Sequence, residues 1–317
     1  MMNVLYYLFR VLIYPGFLFI SALAFVFEWI DRKAHAHFQN RIGPLYAGPH
    51  GFLQPLADFI KLMAKEDFTP TWANPVFFNI TPVLAATLPV FASFYIPFTG
   101  MPVLPPFEGD LVLVLTLTTF FTITAFLAGW FSSNRFSSVG AIRVVLQFLG
   151  YEIPMFISLG SAAIAAGSLS ITKIANSQVI PFAILQPLGF AIYIIALQAE
   201  LEKIPFDIPE AESEIVAGWL TEFAGRKLAF FRLSEDLRLV LGAGLATAVF
   251  LGGGSGAIFP PIVWFLIKMV IVVLIATSLR TVFARLKIDQ VVRGAWKYLL
   301  PLALLQLLIT KILLVVM

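Results

Sequence analysis

Long apolar runs, each about the width of a bilayer, alternate along the chain with shorter joints that hold most of its charge, glycine and proline. A helix needs about 20 apolar residues to cross membrane hydrocarbon. The pattern predicts eight such spans, near residues 5–30, 76–97, 111–131, 140–166, 181–200, 236–252, 260–282 and 298–317. Joints such as PVLPP (Pro102–Pro106) and GGGSG (Gly252–Gly256) separate them. One further element sits between the first two spans. In GFLQPLADFIKLMAKE (Gly51–Glu66), Phe52, Leu56, Phe59, Ile60 and Met63 recur at helical spacing. Asp58, Lys61 and Lys65 fall away from that stripe, so a short helix lying in the membrane interface is expected. An ordinary surface anchor is the plainer reading of the same stripe. The expected fold is thus an all-α polytopic membrane protein with an interfacial amphipathic helix, one domain over residues 1–317.

Composition supports that class. The 317 residues are 60% hydrophobic and 12% charged, roughly half the charged fraction of a soluble domain. Such a chain cannot cover a water-facing surface. The first apolar run is too long for a cleavable signal and lacks a small-residue cleavage site. No cysteine is present, which excludes disulfides, thiolate metal sites and cysteine-ligated iron–sulfur clusters within this chain. Three histidines, His35, His37 and His50, are the remaining soft ligands, and no metal site is expected. If electrons are involved, another chain carries them.

Net charge is only +3, so its distribution says more than its size, and no nucleic-acid partner is expected. Arg32, Lys33, Arg41, Lys61 and Lys65 lie in the first connection, and Arg135 in the third. Lys203, Arg226, Lys227 and Arg232 lie in the fifth, and Arg285, Lys287, Arg293 and Lys297 in the seventh. These make fourteen of the twenty-one basic residues, while the second, fourth and sixth connections hold only Lys173. The asymmetry predicts that the odd connections are cytoplasmic and, with an even number of spans, that both termini lie outside.

Several ionisable residues fall where a membrane makes them costly, and such groups usually face a protein interior or a water-filled path. In RVVLQFLGYEIP, Arg143 and Gln147 share a face, while Glu152 lies about half a turn round and needs a different partner. Pro154 cannot donate to the Gly150 carbonyl, so an unwound turn beside Glu152 would hold water and exchange a proton. A structural Glu152 paired to a neighbouring helix is the alternative. Glu28, Glu200 and Glu235 lie at span edges. Lys268 lies deeper, with no partner evident in the sequence; it either neutralises a buried acid or snorkels.

The densest polar stretch is EKIPFDIPEAESEIVAG (Glu202–Gly218), which with Glu222 gathers six carboxylates. Asp207 followed by Glu210 suits a helix start, with Pro209 tolerated in the first turn. Asp207, Glu210 and Glu214 would then share a face, with Glu212 opposite. Helix-dipole chemistry accounts for part of this cluster. The physics leaves open a solvated acidic loop or a funnel that handles protons or attracts cations.

Taken together, DRKAHAHFQNRIGP (Asp31–Pro44), GPHGFLQPLADFIKLMAKE (Gly48–Glu66), GWFSSN (Gly129–Asn134), RVVLQFLGYEIP (Arg143–Pro154), the acidic stretch, EFAG (Glu222–Gly225) and RTVFARLKIDQVVRGAWKYLLP (Arg280–Pro301) resemble one family. It is the H subunit family of NADH–quinone oxidoreductase (respiratory complex I), with its relatives in membrane-bound energy-converting nickel–iron hydrogenases and sulfane reductases. The resemblance covers nearly the whole chain. It implies eight core spans with an interfacial helix after the first, in a prokaryotic cell membrane. It implies a subunit without a redox centre of its own, beneath a peripheral arm whose subunits carry iron–sulfur clusters, beside antiporter-like and small membrane subunits. A nickel–iron centre or a quinone would be held in or with those partners.

By motif, Arg32, Arg41, Lys61 and Lys65 match basic positions at the arm interface. Glu152, Glu200, Asp207, Glu210, Glu212, Glu214 and Glu235 match the acidic proton-path positions. Arg143, Arg280, Arg285 and Asp289 match charged loop or helix-end positions. The chain departs from the family pattern at Asp31 (usually Glu), His35 and His37 (an apolar residue and Arg), Lys203 (commonly Arg) and Ala284 (commonly Pro). His37 falls where a quinone chamber would meet its neighbours, and a chamber reshaped there tilts the expectation toward a hydrogenase or sulfane reductase, with a quinone reductase as the alternative. A stand-alone secondary transporter is a rival reading, but such proteins show internal repeats, and none is evident here. A purely structural anchor is the other.

Overall fold

The computed structural model describes residues 2–316, with side chains from Leu5 to Leu314 apart from those of Glu212 and Ser213. The described residues form helices and loops, with no strand. Six helical stretches are long and apolar enough to cross a membrane: 5–38, 75–93, 110–131, 135–166, 261–282 and 288–314. This is an integral membrane protein. The remaining two expected spans take other forms, for reasons that the hydropathy pattern conceals.

The first stretch is two helices, α1 (Met2–Leu12) and α2 (Phe17–Phe38), broken where Pro15 interrupts the hydrogen-bond ladder. The amphipathic stripe forms α3 (Gln54–Met63), with Pro55 in its first turn, where a missing N–H costs nothing. Its Phe59 packs on Phe25 of α2, whereas Leu56 and Ile60 remain exposed. Then come α4 (Pro75–Ser93), α5 (Asp110–Phe131) and α6 (Arg135–Ala166), the first and last capped by Asn74 and Asn134. The helix α6 runs unbroken through Pro154, so the expected unwound turn beside Glu152 is absent. Pro154 is tolerated because neighbouring helices hold the chain on both sides.

The fifth expected span is broken. Short helices α7 (Ile171–Ser177) and α8 (Phe182–Leu185) precede α9 (Pro187–Glu200), and Pro187 marks the break. At 14 residues, α9 is shorter than a full crossing. A four-residue turn, α10 (Glu212–Ile215), follows within the acidic loop. Next is α11 (Gly225–Phe250), which starts eleven residues before the expected 236. Its charged first half hid it from a hydropathy scan, and its last fourteen residues, Leu237 to Phe250, are all buried. It is the central helix, packed on α2, α4 and α12 (Pro261–Val282). Gly242 admits the close approach of α9 as well, because a Cβ there would meet Leu197 at 2.2 Å. The chain ends with α13 (Ile288–Gly294), a π-helical turn (Ala295–Leu299) and α14 (Leu300–Val316).

The ends of the bundle sort as the loop charges suggested. At one end Lys227 reaches Asp67, Asn134 reaches Glu222, and Arg285 reaches Asp207, so the first, third, fifth and seventh connections meet. At the other, Arg10 bonds the Pro102 carbonyl, Lys173 pairs with Glu108, and Gln178 bonds the Ala248 carbonyl. Lys268 belongs to this second end. Its ammonium donates to the carbonyls of Leu251 and Gly253 at 2.7 and 2.9 Å, and to Ser255. It therefore neither pairs with a buried acid nor snorkels; it caps the C-terminus of α11, where a cation opposes the helix dipole.

Candidate functional site

The acidic stretch lies between α9 and α11 and is not helical at Asp207. Its helical turn begins at Glu212, so Asp207 does not cap a helix, and Glu210 and Glu214 do not share a face. What holds the loop is shape and charge. Trp219 sits between α5 and α6, close to Gly129 and Gly140. A Cβ on Gly140 would come within 2.4 Å of the Trp219 backbone nitrogen, so only glycine admits the loop there. The buried indole packs edge-on to Phe231 and donates to Glu202 Oε2 at 3.1 Å. The Leu286 N–H donates to the Pro205 carbonyl, and Arg143 pairs with Glu214 at 2.6 Å. Arg285 lies 3.4 Å from Asp207 and 3.9 Å from Glu214.

Behind the loop is a cavity of about 700 Å³. Six carboxylates reach its wall: Glu28, Glu202, Asp207, Glu210, Glu235 and Asp236. Five cations face them: Lys203, Arg232, Arg238, Arg280 and Arg285. Acids outnumber cations by one on this wall. A second cavity of about 360 Å³ lies beneath α3 and shares Glu28, Arg232, Glu235 and Asp236 with the first. Its other walls combine Phe25, Phe59 and Leu62 with Arg32 and Lys61. Arg32 holds Glu28 at 2.5 Å and Asp58 at 2.7 Å, fixing α3 against α2.

Within the larger cavity Arg232 joins two acids, Glu235 at 2.9 Å and Glu210 at 3.8 Å. One oxygen of Glu235 is buried without a hydrogen bond. Burial, reinforced by the Glu235 carboxylate, pushes Glu210 up to about 8. Burial likewise raises Glu202 against the pull of Arg238, whereas the Arg143 hydrogen bond holds the exposed Glu214 below the usual carboxylate range.

A raised carboxylate is protonated in the folded chain while its unfolded counterpart ionises above pH 4.5. The stability it lends is therefore complete below that pH and is lost as pH rises toward 8. Melting temperature is expected to fall from about pH 5 to about pH 9, with a shallower fall in Glu210→Gln. Parallel slopes for the two proteins would rule out Glu210 as the source.

Deeper in the bundle, Arg238 of α11 is 3% exposed and lies 3.9 Å over the Phe121 ring. It donates to the Glu200 backbone carbonyl at 2.6 Å and sits 3.8 Å from the Glu202 carboxylate. Tyr151 lies in the field of Glu200, Arg238 and Glu202. The next residue, Glu152, accepts from Thr119 of α5 at 2.5 Å. Gln147 bonds the Ala199 carbonyl, so Arg143, Gln147 and Glu152 take three different partners. At the rim, buried Asp31 accepts from Lys203, Arg280 and Thr277 at 2.7, 2.9 and 2.6 Å. Asp31 and Lys203 are thus each other's partners, in an ion pair at 2.7 Å.

The structure gathers Asp207, Glu210, Glu235, Arg280 and Arg285 around one cavity, with Arg32 and Lys61 around its neighbour. Buried Glu200 and half-buried Glu152 line neither cavity. Arg41, His37 and Lys65 are exposed, and Asp289 is exposed on the first turn of α13. The side chain of Glu212 lies outside the described residues. Arg238 and Asp236 were missed. Both sit in the first turn of the expected sixth span, and charge at that depth was the available signal. Among the described residues no grouping of three or more His, Cys, Asp or Glu could hold a metal ion.

The sequence profile described as NADH dehydrogenase matches residues 11–311, nearly all of the helical bundle. The chain belongs to the NADH dehydrogenase family. Curated relatives agree along the same length. The H subunit of NADH-quinone oxidoreductase from Dehalococcoides mccartyi is 41% identical over 296 residues, 93% of this chain and 83% of the relative. Its namesake from Carboxydothermus hydrogenoformans is 40% identical over 303 residues, 93% and 85%. The second of the numbered H subunits of NADH-quinone oxidoreductase in Geobacter sulfurreducens is 39% identical over 305 residues, 93% and 92%. Membership in this family makes the chain a subunit of an oxidoreductase complex, and the acid-lined cavity is the feature a coupling role would use.

Proposed function

We propose that this chain is the membrane subunit of a quinone oxidoreductase that links quinone reduction at its rim to proton or sodium movement inside the membrane. The observation that carries the reading is the cavity with six carboxylates against five cations. Its acids sit between a surface that meets a partner and the interior acids Glu200 and Glu152. The names of the relatives favour a quinone as acceptor, and nothing on the cavity walls favours a nickel–iron or sulfane acceptor. The smaller cavity suits a planar conjugated dione, with Phe25, Phe59 and Leu62 for the ring and Arg32 and Lys61 for its oxygens.

Quinone reduction takes two electrons and two protons. On this reading the electrons arrive from iron–sulfur subunits of a peripheral arm, because a chain without cysteine holds no cysteine-ligated cluster. Negative charge developing on the quinone raises the proton affinity of carboxylates that share its wall. Glu28, Glu235 and Asp236 are those carboxylates. A change of protonation among the cavity acids alters their hold on Arg232, and the altered field reaches Arg238, Glu200 and Glu152. From there the change passes to antiporter-like and small membrane subunits. With the positive-inside bias, the cavity end is cytoplasmic and both termini lie outside.

Glu210→Gln tests this. In vesicles holding the intact complex, ion uptake per electron is expected to fall about tenfold or more, with electron transfer to a soluble acceptor retained. Undiminished uptake would sink the coupling role.

A further inference from the structure

We infer that Thr119 is a positioning residue for Glu152, holding its carboxyl in both protonation states through a hydroxyl that reverses its hydrogen bond. The inference rests on the proposed function, in which the field change at the cavity reaches Glu152, and takes the response there to be a change of protonation. Thr119 lies near the middle of α5, facing Glu152 of α6. Two acceptors are within reach of its single proton: Glu152 Oε1 at 2.5 Å and the Leu115 carbonyl at 3.1 Å. A hydroxyl donates one proton and accepts through its lone pairs. It cannot donate to both acceptors at once.

Each assignment corresponds to one charge state of the acid. When Glu152 is ionised, Thr119 donates to the carboxylate, a charge-assisted hydrogen bond. When Glu152 is protonated, its carboxyl donates to Thr119 Oγ1, and the threonine proton turns to the Leu115 carbonyl. Only the hydroxyl hydrogen moves. Each state keeps the Thr119–Glu152 hydrogen bond without rotating a side chain, so neither half-buried group loses its partner. An ordinary structural partner such as arginine would favour the ionised form alone.

The charged and titratable surroundings are sparse. The α9 neighbour is Glu200, which feels the Glu152 charge, and Tyr151 precedes it on α6. Among the groups described on α5, Asp110 at its far end is the only charge, held by Ser170 and the Ile171 N–H. Thr119 is thus the group in direct contact that can answer a change at Glu152.

Redox-difference infrared spectra of the intact complex test this, compared for wild type, Glu152→Gln, Thr119→Val and Thr119→Ser. The expected result is a carboxyl C=O band in wild type that Glu152→Gln abolishes. Thr119→Val, which keeps shape and removes the hydroxyl, shifts that band to higher frequency. Thr119→Ser restores its position, and ion uptake per electron follows the same order. Where the valine variant fails to assemble, Thr119→Ala supplies the comparison. A band lost in Glu152→Gln but unmoved in Thr119→Val overturns the role of Thr119 and leaves Glu152 standing. Absence of any band sensitive to Glu152→Gln overturns both.

Discussion

Arg238→Met is expected to destabilise the subunit by about 3–5 kcal/mol and to abolish ion uptake coupled to electron transfer. Arg238 is 3% exposed, and methionine would fill its space while removing its charge. The Glu200 carbonyl would lose its donor at 2.6 Å, and the Glu202 carboxylate would lose the cation at 3.8 Å. Trp219 Nε1 would then be the neutral partner left to Glu202. An uncompensated buried carboxylate is the expensive product of breaking such a pair. Lysine would not substitute well, because the planar guanidinium stacks on Phe121 and reaches two oxygens at once. The checks are the melting temperature of the complex and ion uptake per electron. Adding Glu202→Gln should recover part of the lost stability, since the two residues share a pair. Wild-type stability in Arg238→Met would show that the acids do not depend on this cation.

Asp31→Leu is expected to cost a similar amount, about 3–5 kcal/mol, through the opposite imbalance. Asp31 is 2% exposed and is the shared acceptor for Lys203, Arg280 and Thr277. Without it, two cations face each other at the rim of the cavity. These three partners come from the loop after α9 and from α12, so Asp31 closes the rim between α2 and both. Asp31→Leu combined with Lys203→Met should regain most of the loss, because a buried pair replaced by apolar groups is far less costly than half a pair. A double-mutant cycle on melting temperature measures this coupling. Strict additivity would remove Asp31–Lys203 as a stabilising pair. Asp31→Glu should be destabilising while Lys203 remains, because the longer acid no longer fits the 2.7 Å geometry.

Some of the residues that line the cavity were singled out from the sequence, partly by their charge at membrane edges and partly by the family resemblance. Glu210, Glu235, Asp207, Arg280 and Arg285 were all expected to matter, and they line one cavity. The α3 stripe was legible because a helix on an interface must show a periodic apolar face. Where the reading failed, the cause was a partner distant in the chain. Lys268 looked unpaired because its partners are backbone carbonyls, which carry no sequence signature. Asp207 and Glu210 looked like a helix start, yet Arg285 and Arg232 hold them in a non-helical loop. Arg238 was passed over because its partners, Phe121 and the Glu200 carbonyl, lie on other helices.

The sequence by itself determined that this chain lives in a membrane, which of its connections share an end, and which segment gathers the acids. These follow from composition and from short periods, where the solvent acts on each residue nearly independently. Only the tertiary structure decided that α11 begins early and runs through the centre with its charges inside. It also decided that Asp31 and Lys203 compensate each other, and that six carboxylates meet five cations around one space. Those outcomes depend on which distant groups neutralise one another. In a low-dielectric interior that pairing, rather than local hydropathy, sets where a charge can reside.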